Sequence, residues 1–172
     1  YEGHIAGVEA VRTTVRAASR RGVKYLTLYA FSTENWGRPR AEVDALMELF
    51  CTSVVNETPE LQRQGVRIRM IGDRNRFSEK VQHYLARAEE QTAQGQTLTL
   101  ILALNYSSRS EITRAVRHLA QQAARGELRP EAITEECISA ALDTADYPDP
   151  DLVIRTSGEY RLSNFLLWQS SY

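Results

Sequence analysis

Strand-like and helix-like segments alternate along the whole of this sequence, and that alternation is the strongest constraint on its fold. Short runs rich in β-branched and aromatic residues are separated by longer segments in which apolar residues recur every three or four positions. The predicted strands are residues 23–31, 66–71, 98–104, 151–154 and 164–168. We predict a single α/β domain in which helices flank a central, mostly parallel sheet with right-handed crossovers.

Amphipathic helices are predicted between and around these strands. Their apolar stripes cover residues 5–18, 43–54, 81–88, 112–119 and 133–142. The composition of residues 23–31 further predicts a strand buried within the sheet. In open parallel sheets, ligands bind beyond the carboxyl ends of the strands. We therefore expect the polar loops 32–40, 105–109 and 155–163 to share one face and to carry the chemistry.

Charge and cysteine content narrow the class of protein. The formal net charge is -1, which argues against a general nucleic-acid-binding protein, so no nucleic-acid partner is expected. No apolar run approaches the ~18 residues of a transmembrane helix. We expect no signal peptide, because the first residues lack a basic start and an apolar core. Cys51 and Cys137 form no Cys-x-x-Cys pair, so we expect unpaired thiols in a reducing compartment.

The loop of residues 32–40 combines hydroxyl groups, an amide, an aromatic ring and a guanidinium. It contains Ser32, Asn35, Trp36 and Arg38, together with a Gly-x-Pro sequence that can act as a hinge. Such a loop can close over an anion and exclude water from it. The same composition is equally consistent with an ordinary surface loop whose tryptophan packs on a neighbouring element.

A second polar loop follows the strand predicted at residues 151–154. Arg155 and Arg161 alternate there with serine, threonine and glycine, ending at Ser163. Guanidinium forks, hydroxyls and backbone N–H groups are the donors that a diphosphate requires. The loop is not a P-loop, because GxxxxGK[ST] is absent. A helix-capping turn with ion pairs is the alternative interpretation.

The remaining histidine and acidic residues give weaker indications. His4 lies at the start of the first predicted helix, where backbone N–H groups and the helix dipole favour an anion, although a structural role is the alternative. No His, Cys and carboxylate cluster has zinc spacing. The acidic stretch from Asp143 to Asp151 contains two prolines, so we predict an extended turn there rather than a metal site.

Taken together, these motifs resemble the signature segments of cis-prenyltransferases of the undecaprenyl diphosphate synthase type. The segments occur in the family's order and span nearly the whole chain. They are Gly3-His4-x-x-Gly7, Tyr29-Ala30-Phe31-Ser32-x-Glu34-Asn35-Trp36-x-Arg38-Pro39 with Glu42-Val43, Asn105-Tyr106-x-x-Arg109, and residues 149–169. The family's Asn-Tyr-Gly-Gly-Arg appears here with Ser107 and Ser108 in place of the glycines, which restricts the backbone in that turn.

The resemblance implies a homodimeric, magnesium-dependent α/β enzyme with a hydrophobic tunnel. Such an enzyme condenses isopentenyl diphosphate repeatedly onto farnesyl diphosphate with cis double bonds. The product is an undecaprenyl-type diphosphate, a carrier lipid for cell-wall peptidoglycan synthesis. A lipid product implies a cytoplasmic protein with peripheral contact at the inner face of the membrane. Candidate tunnel residues are Leu98, Leu102 and Leu104, with core packing as the alternative, and the apolar face of the helix at 42–54.

The resemblance also assigns the diphosphate-binding residues by position. Arg155, Arg161 and Ser163 match the ligands of isopentenyl diphosphate. His4 and Arg38 match helpers at the allylic diphosphate. These side chains would offset the negative charge that develops on the leaving diphosphate, an electrostatic contribution that is usually the largest in such catalysis.

The mobile loop of the family is assigned in the same way. Ser32, Trp36 and Glu42 match its substrate-binding residues. Asn35 matches the residue implicated in proton removal. Burial of the reacting atoms would protect the allylic carbocation from water.

The metal ligands that the resemblance implies are expected beyond both ends of the sequence. The family's Asp-Gly-Asn-Gly-Arg-Trp-Ala segment, whose Asp is the main magnesium ligand, is expected before Tyr1. A second acidic ligand, a Glu, is expected after Tyr172. Residues 1–172 are thus expected to be one domain that lacks both segments and is inactive by itself.

Several alternatives remain open. One is a cis-prenyltransferase of another product length, dolichol-type or short-chain, because tunnel depth sets the length. Another is a non-catalytic partner subunit of the same fold, against which the retained Asn35, Arg38 and Arg155 argue. A third is a generic phosphate-binding α/β module, which would not respond to isopentenyl diphosphate.

Overall fold

The computed structural model describes residues 2–32, 37, 39–155 and 163–171, without the side chains of residues 2–8, 30–32 and 51. The helices are α1 (Glu2–Arg20), α2 (Arg40–Arg63), α3 (Glu79–Gln91), α4 (Ser108–Ala124) and α5 (Glu135–Ala141). The strands are β1 (Tyr25–Ser32), β2 (Val66–Ile71) and β3 (Leu98–Tyr106). Two short 3-10 turns, Arg74–Arg76 and Pro130–Ala132, precede α3 and α5. All five predicted helices and three of the five predicted strands are therefore present.

The described strands form a three-stranded parallel sheet in the order β1-β3-β2, flanked by helices. Every residue of the central strand β3 is buried, as expected for a strand covered on both faces. The Thr99 N–H donates to Lys24 O at 2.8 Å on the β1 side, and the Thr97 N–H donates to Gly65 O at 2.9 Å on the β2 side. This arrangement confirms the predicted α/β fold class.

Residues 23–31 were predicted to form a buried strand. The strand is present as β1, but it is not buried. Leu26 and Leu28 are only half-buried, and Tyr25 and Tyr29 are exposed. β1 lies at an edge of the described sheet, where one side has no neighbouring strand, but an edge position alone does not decide burial, because the other edge strand, β2, is largely buried. Aromatic and β-branched composition indicates a strand but does not distinguish a central position from an edge position.

The two strands predicted at residues 151–154 and 164–168 are also wrong. Residues 152–155 lie in no described strand, and Leu152 and Ile154 are 74% and 77% exposed. Residues 163–170 form a series of turns. Ser163, Asn164 and Leu166 adopt left-handed φ values of 50°, 62° and 49°, which interrupt an extended backbone. An apolar run can therefore turn repeatedly where the sequence pattern suggests a strand.

Helix α2 extends beyond its predicted end near residue 54, continuing for 24 residues through Pro59. Thr58 beside the proline is buried, and its hydroxyl donates to Val54 O at 2.5 Å. Helix α4 begins at Ser108, within the predicted loop at 105–109, so only Ser107 separates it from β3. Within the described ranges, no helix has both the length and the apolar character needed to cross a membrane.

The chain divides into two compact units. The first consists of Tyr1–Met70 and Arg74–Leu104, and the second of Ile71–Asp73 and Asn105–Tyr172. The core of the first unit includes residues from α1, α2, α3 and the strands: Val15, Val43, Met47, Val66, Leu85, Leu98, Leu102 and Leu104. The second unit buries Tyr106, Glu111, Ala115, Leu119, Leu142 and Leu166, and its Cys137 is a free thiol as predicted. That residues 1–172 make one domain stays a prediction.

Candidate functional site

Arg155 and Ser163 come together in the second unit, as the diphosphate hypothesis requires. Arg155 Nη1 donates a hydrogen bond to Ser163 Oγ, eight positions further along the sequence. The Arg155 side chain is exposed, so its guanidinium lies where an anion can reach it. A guanidinium beside a hydroxyl offers several N–H and O–H donors to one phosphate group. Two of the three residues predicted to bind isopentenyl diphosphate thus lie together.

The segment that carries Ser163 is held on the N-terminus of α4 by the next residue. Asn164 O accepts the Ser108 N–H at 2.7 Å, and Asn164 Oδ1 accepts the Arg109 N–H at 3.0 Å. Ser107 Oγ accepts the Ser110 N–H at 3.2 Å, as an N-cap residue does. These three acceptors bind N–H groups of the first turn, which have no acceptor within the helix.

Ser107 and Ser108 stand where the resembling family has two glycines, and the structure accommodates both. Ser107 has φ −149° and ψ 148°, an extended conformation open to any residue, so the turn does not need glycine there. Ser108 is 0% exposed. Its hydroxyl accepts the Leu167 N–H at 2.8 Å and lies 3.3 Å from the Tyr106 hydroxyl. The serine therefore adds a contact to the turns at 163–170 that glycine cannot make.

A buried carboxylate, Glu111, lies behind these contacts and is 1% exposed. Its Oε1 accepts from the Tyr106 hydroxyl at 2.7 Å and from Gln169 Nε2 at 2.9 Å, while its Oε2 accepts the Asp143 N–H at 2.9 Å. Burial raises the pKa of the Glu111 carboxyl, although the bonds from Gln169 and Tyr106 act in the opposite direction. Burial also raises the pKa of Tyr106, so its phenol remains a donor at neutral pH.

Asp143, the first residue of the acidic stretch, makes structural contacts. Its two carboxylate oxygens accept from Arg114 Nη1 at 2.7 Å and Nη2 at 2.9 Å, a bidentate pair. Its Oδ2 also accepts the Gly72 N–H at 3.0 Å. Both oxygens of this carboxylate are therefore already occupied by donors from the protein itself.

The metal ligands that the resemblance implies are not among the residues of this sequence. The Asp expected before Tyr1 and the Glu expected after Tyr172 fall beyond it, and both of these tyrosines lie outside the described residues. Within the described residues, no group of three His, Cys, Asp or Glu side chains could hold a metal ion. The described residues therefore do not fit a magnesium site, and we derive no step through one. The two expected ligands stay a prediction.

The first unit contains a groove of about 900 Å³ between α2 and the segment that leads into α3. The volume lies in the range of sites for small organic ligands. Its apolar wall includes Val43, Met47, Val55, Phe77, Val81 and Tyr84. Its charged residues include Arg40, Asp44, Glu48, Arg76 and Lys80. The predicted tunnel leucines of β3 do not line this groove: they pack in the core, which was the alternative interpretation.

The other predicted site residues are placed only in part. Glu42 lies exposed in the first turn of α2, and its N–H donates to Pro39 O at 3.0 Å. Ser32 ends β1 and His4 lies in the first turn of α1, but their side chains are outside the described part. Asn35, Trp36, Arg38 and Arg161 lie outside the described residues altogether.

Sequence reasoning missed the residues that hold the segment carrying Ser163 in place, above all Glu111. One signal was available for it. Glu111, Ala115 and Leu119 follow one another at four-residue spacing on the buried face of α4. A carboxylate on the apolar stripe of a helix must find hydrogen-bond partners, because burying an unpaired charge is costly. The identity of those partners, residues 106, 143 and 169, was not readable from local sequence.

Comparison with known proteins assigns a family to this arrangement. The sequence model of the undecaprenyl diphosphate synthase family, the Prenyltransf model, matches residues 1–172. An isoprenyl transferase of Agrobacterium fabrum is 55% identical over 170 residues, covering 99% of this chain and 69% of that protein. A ditrans,polycis-undecaprenyl-diphosphate synthase, (2E,6E)-farnesyl-diphosphate specific, from Xanthomonas axonopodis pv. citri is 50% identical over 99% of this chain and 66% of its own length.

Solved structures that resemble this chain support the same family assignment. Lavandulyl diphosphate synthase from Lavandula x intermedia, in complex with dimethylallyl diphosphate, superposes with a TM-score of 0.92 at 37% identity, covering 98% of this chain and 73% of that one. A probable undecaprenyl diphosphate synthase from Campylobacter jejuni has a TM-score of 0.82 at 34% identity, with 96% and 76% covered. The chain therefore belongs to the undecaprenyl diphosphate synthase family of cis-prenyltransferases, and the predicted family and enzyme class are confirmed.

Proposed function

We propose that the full-length protein condenses isopentenyl diphosphate repeatedly onto farnesyl diphosphate and so makes an undecaprenyl-type diphosphate with cis double bonds. The observation that carries the proposal is the contact between Arg155 and Ser163 in an exposed position on an anchored turn. Both residues fall in the segment that most resembles the family. A bidentate guanidinium and a hydroxyl would fix the diphosphate of the incoming unit and thereby orient its double bond.

In each cycle a C–O bond and a C–H bond break and one carbon–carbon bond forms, and the released diphosphate can take up the proton. The C1–O bond of the allylic diphosphate breaks, and inorganic diphosphate leaves with the electron pair. The terminal alkene carbon of isopentenyl diphosphate bonds to C1, and loss of a proton from its C2 restores a double bond. By position, Arg155, Arg161 and Ser163 bind the incoming unit, His4 and Arg38 assist the leaving diphosphate, and Asn35 serves proton removal. Ser32 and Trp36, with Glu42 in the first turn of α2, would cover the reacting atoms.

The groove beside α2 is our candidate for the path of the growing chain. Val55 and the half-buried Tyr84 supply apolar surface along it, and beneath them it reaches Val43, Met47, Phe77 and Val81 of the hydrophobic core. Burial of a methylene group contributes ~0.8 kcal/mol, so each added isoprenoid unit would gain from entering such a groove. This proposal replaces the β3 leucines as wall residues, because they do not line the groove.

Prenyltransferases are generally metal-dependent, and we propose magnesium as the ion, with its ligands outside residues 1–172. When bound, magnesium would neutralise charge on the leaving diphosphate. We also propose a cytoplasmic homodimer with peripheral contact at the inner face of the membrane, where a lipid product for peptidoglycan synthesis would be released.

The test uses the full-length protein with farnesyl diphosphate, labelled isopentenyl diphosphate and magnesium. We expect label in a butanol-extractable product, lost when the metal is chelated and restored when magnesium is added back. Chromatography of the dephosphorylated product against polyprenol standards gives the chain length. Absence of extractable label from the full-length protein would overturn the proposed function, and would favour a non-catalytic subunit or a generic phosphate-binding module.

A shorter product is the second candidate. The TM-score of 0.92 to a lavandulyl diphosphate synthase is the observation that favours it, since that enzyme was solved with dimethylallyl diphosphate. The same assay with dimethylallyl diphosphate as the allylic substrate distinguishes a short-chain synthase from an undecaprenyl-type synthase. Faster turnover than with farnesyl diphosphate, with products of one or two added units, would replace the undecaprenyl assignment by a short-chain one. Products longer than the undecaprenyl standard would indicate a dolichol-type enzyme.

A further inference from the structure

The backbone that presents Ser163 is unfavourable unless other groups hold it. Ser163, Asn164 and Leu166 all have left-handed φ values, and none is glycine. Side chains with a Cβ rarely adopt this region, and such residues persist only where surrounding contacts over-determine them. The turns at 163–170 therefore need contacts from other parts of the chain to hold them in this conformation.

The N-terminus of α4 supplies three of them. The N–H groups of Ser108 and Arg109 donate to Asn164, one to its backbone oxygen at 2.7 Å and one to its side-chain oxygen at 3.0 Å. In the reverse direction, the Leu167 N–H donates to Ser108 Oγ at 2.8 Å. The two segments thus exchange donors and acceptors on both sides of Leu166, itself buried. We call these three hydrogen bonds the α4 clamp.

The Ser108 hydroxyl is the part of the α4 clamp that is absent when this position is glycine, as in the family's motif. A glycine at the same position could still donate its N–H to Asn164 O, but it has no side-chain acceptor for the Leu167 N–H. The hydroxyl is fully buried, and it also lies 3.3 Å from the Tyr106 phenol, which donates to Glu111. The hydroxyl is therefore built into a buried polar network, where a lost partner is costly.

We propose that Ser108 and Asn164 are positioning residues of the diphosphate site: through the α4 clamp they set where Ser163, and with it Arg155, meets the diphosphate of isopentenyl diphosphate. The inference rests on the proposed function. Neither positioning residue needs to touch the substrate. Their effect passes through the backbone between Asn164 and Ser163, which are adjacent in sequence, and through the hydrogen bond from Arg155 to Ser163.

The experiment compares Ser108→Ala with Thr113→Ala in the full-length enzyme. Thr113 is the matched control: its hydroxyl also lies on α4 but is exposed and donates to Arg109 O at 2.7 Å within the helix. Loss of one net hydrogen bond corresponds to about fivefold. We expect Ser108→Ala to raise the KM for isopentenyl diphosphate about fivefold, with kcat within about twofold of the wild type, and Thr113→Ala to change neither. Ser108→Gly should behave like Ser108→Ala, although it restores the family residue.

A double-mutant cycle separates positioning from general destabilisation. If Ser108 acts through Ser163, then adding Ser108→Ala to a Ser163→Ala enzyme should change the KM by less than about twofold. An equal increase in both backgrounds, or an unchanged KM in Ser108→Ala, would overturn the inference. A wild type that incorporates no isopentenyl diphosphate would overturn the proposed function instead, so the two failures are distinguishable.

Amide hydrogen exchange provides a readout that does not need turnover. Ser108→Ala should accelerate exchange at the Leu167 amide about tenfold or more, because that N–H loses its acceptor. Exchange at Thr113 and at neighbouring amides of α4 should stay near the wild-type rate. Unchanged exchange at Leu167 would show that the hydroxyl does not hold the turn, and would overturn the inference independently of any kinetic result.

Discussion

At the scale of single residues, the second unit depends on a buried ionisable side chain, that of Glu111. Glu111 accepts three hydrogen bonds from Tyr106, Gln169 and the Asp143 backbone. A carboxylate has enough acceptor sites for all three, whereas an amide would present a donor to one of them. The group is therefore satisfied in hydrogen bonding but unfavourably placed for a full negative charge.

The titration of Glu111 should be visible in the pH dependence of stability. Because burial raises its pKa in the folded protein, the folded state holds this proton more tightly than the unfolded chain does. The contribution of Glu111 to the free energy of unfolding is then fullest below pH 4.5, the ordinary pKa, and is lost as the pH rises through the raised value. We expect Glu111→Gln to remove this slope.

Urea unfolding between pH 4 and pH 8 measures how the free energy of unfolding depends on pH in the wild type and in Glu111→Gln. Glu131→Gln is the control, because Glu131 is exposed. At the acid end of this range, where the contribution of Glu111 is fullest, Glu111→Gln should lower the free energy of unfolding by about 1–3 kcal/mol, since one donor loses its acceptor. Parallel pH profiles for all three proteins would contradict the assignment.

The exposed guanidinium of Arg155 carries a prediction about substrate affinity. Arg155→Ala should raise the KM for isopentenyl diphosphate tenfold or more, because a hydrogen bond to a charged group is lost. Arg155→Lys keeps the positive charge but loses the forked guanidinium, so its KM for isopentenyl diphosphate should lie between those of the wild type and Arg155→Ala. Steady-state kinetics with saturating farnesyl diphosphate provides the measurement, and Arg117→Ala, exposed on α4, is the control. An unchanged KM would remove Arg155 from the site.

At the scale of elements, the backbone just before β3 lies very close to the backbone at the start of β2. A Cβ added at Gly95 would lie 2.7 Å from Gly65 O and 2.8 Å and 2.9 Å from backbone atoms of Val66 and Arg67. Backbone cannot move aside without disturbing the strand. At Gly126, by contrast, an added Cβ would meet nothing within 4 Å, although the φ of 74° is left-handed.

Gly95→Ala should therefore destabilise the protein more than Gly126→Ala does. We expect about 1–3 kcal/mol or more at Gly95 from overpacking, against about 1–2 kcal/mol at Gly126 from the left-handed backbone alone. Thermal unfolding followed by circular dichroism compares them. Equal melting temperatures for the two variants would contradict the close approach.

The wall of α2 leads to a prediction about product length. Val55 lies on the groove and is 47% exposed, so a larger side chain there projects into open space rather than into the core. We expect Val55→Trp to shorten the product by at least one isoprenoid unit while the first condensation proceeds at a near wild-type rate. Chromatography of the dephosphorylated products measures the change. Ala45→Trp, on an exposed position of α2 outside the groove, is the control, and identical product lengths would argue against the groove as the path.

The helices and the three strands of the described sheet were predictable because their signals are local. Apolar stripes at helical spacing locate all five helices, and β2 matches its predicted range of 66–71. The strands predicted at 151–154 and 164–168 failed because an apolar run has the same composition whether it is extended or turned. The left-handed residues at 163, 164 and 166 carry no glycine that would have indicated a turn.

At the scale of the whole molecule, the two compact units carry different parts of the candidate chemistry. The first holds the groove beside α2, and the second holds the Arg155–Ser163 pair and the network around Glu111. The motif resemblance predicted the pair, since both residues lie in one long segment. It did not predict the network, because residues 72, 106, 111, 143 and 169 meet only through tertiary contacts.

The α4 clamp has a consequence for drug resistance. On the proposed function, a compound that imitates the diphosphate of isopentenyl diphosphate would engage the guanidinium of Arg155 and the hydroxyl of Ser163. Cells under selection by such a compound could escape through codon changes at Ser108 or Asn164, which shift the binding groups without removing them. Resistance surveys confined to inhibitor-contacting positions would overlook both.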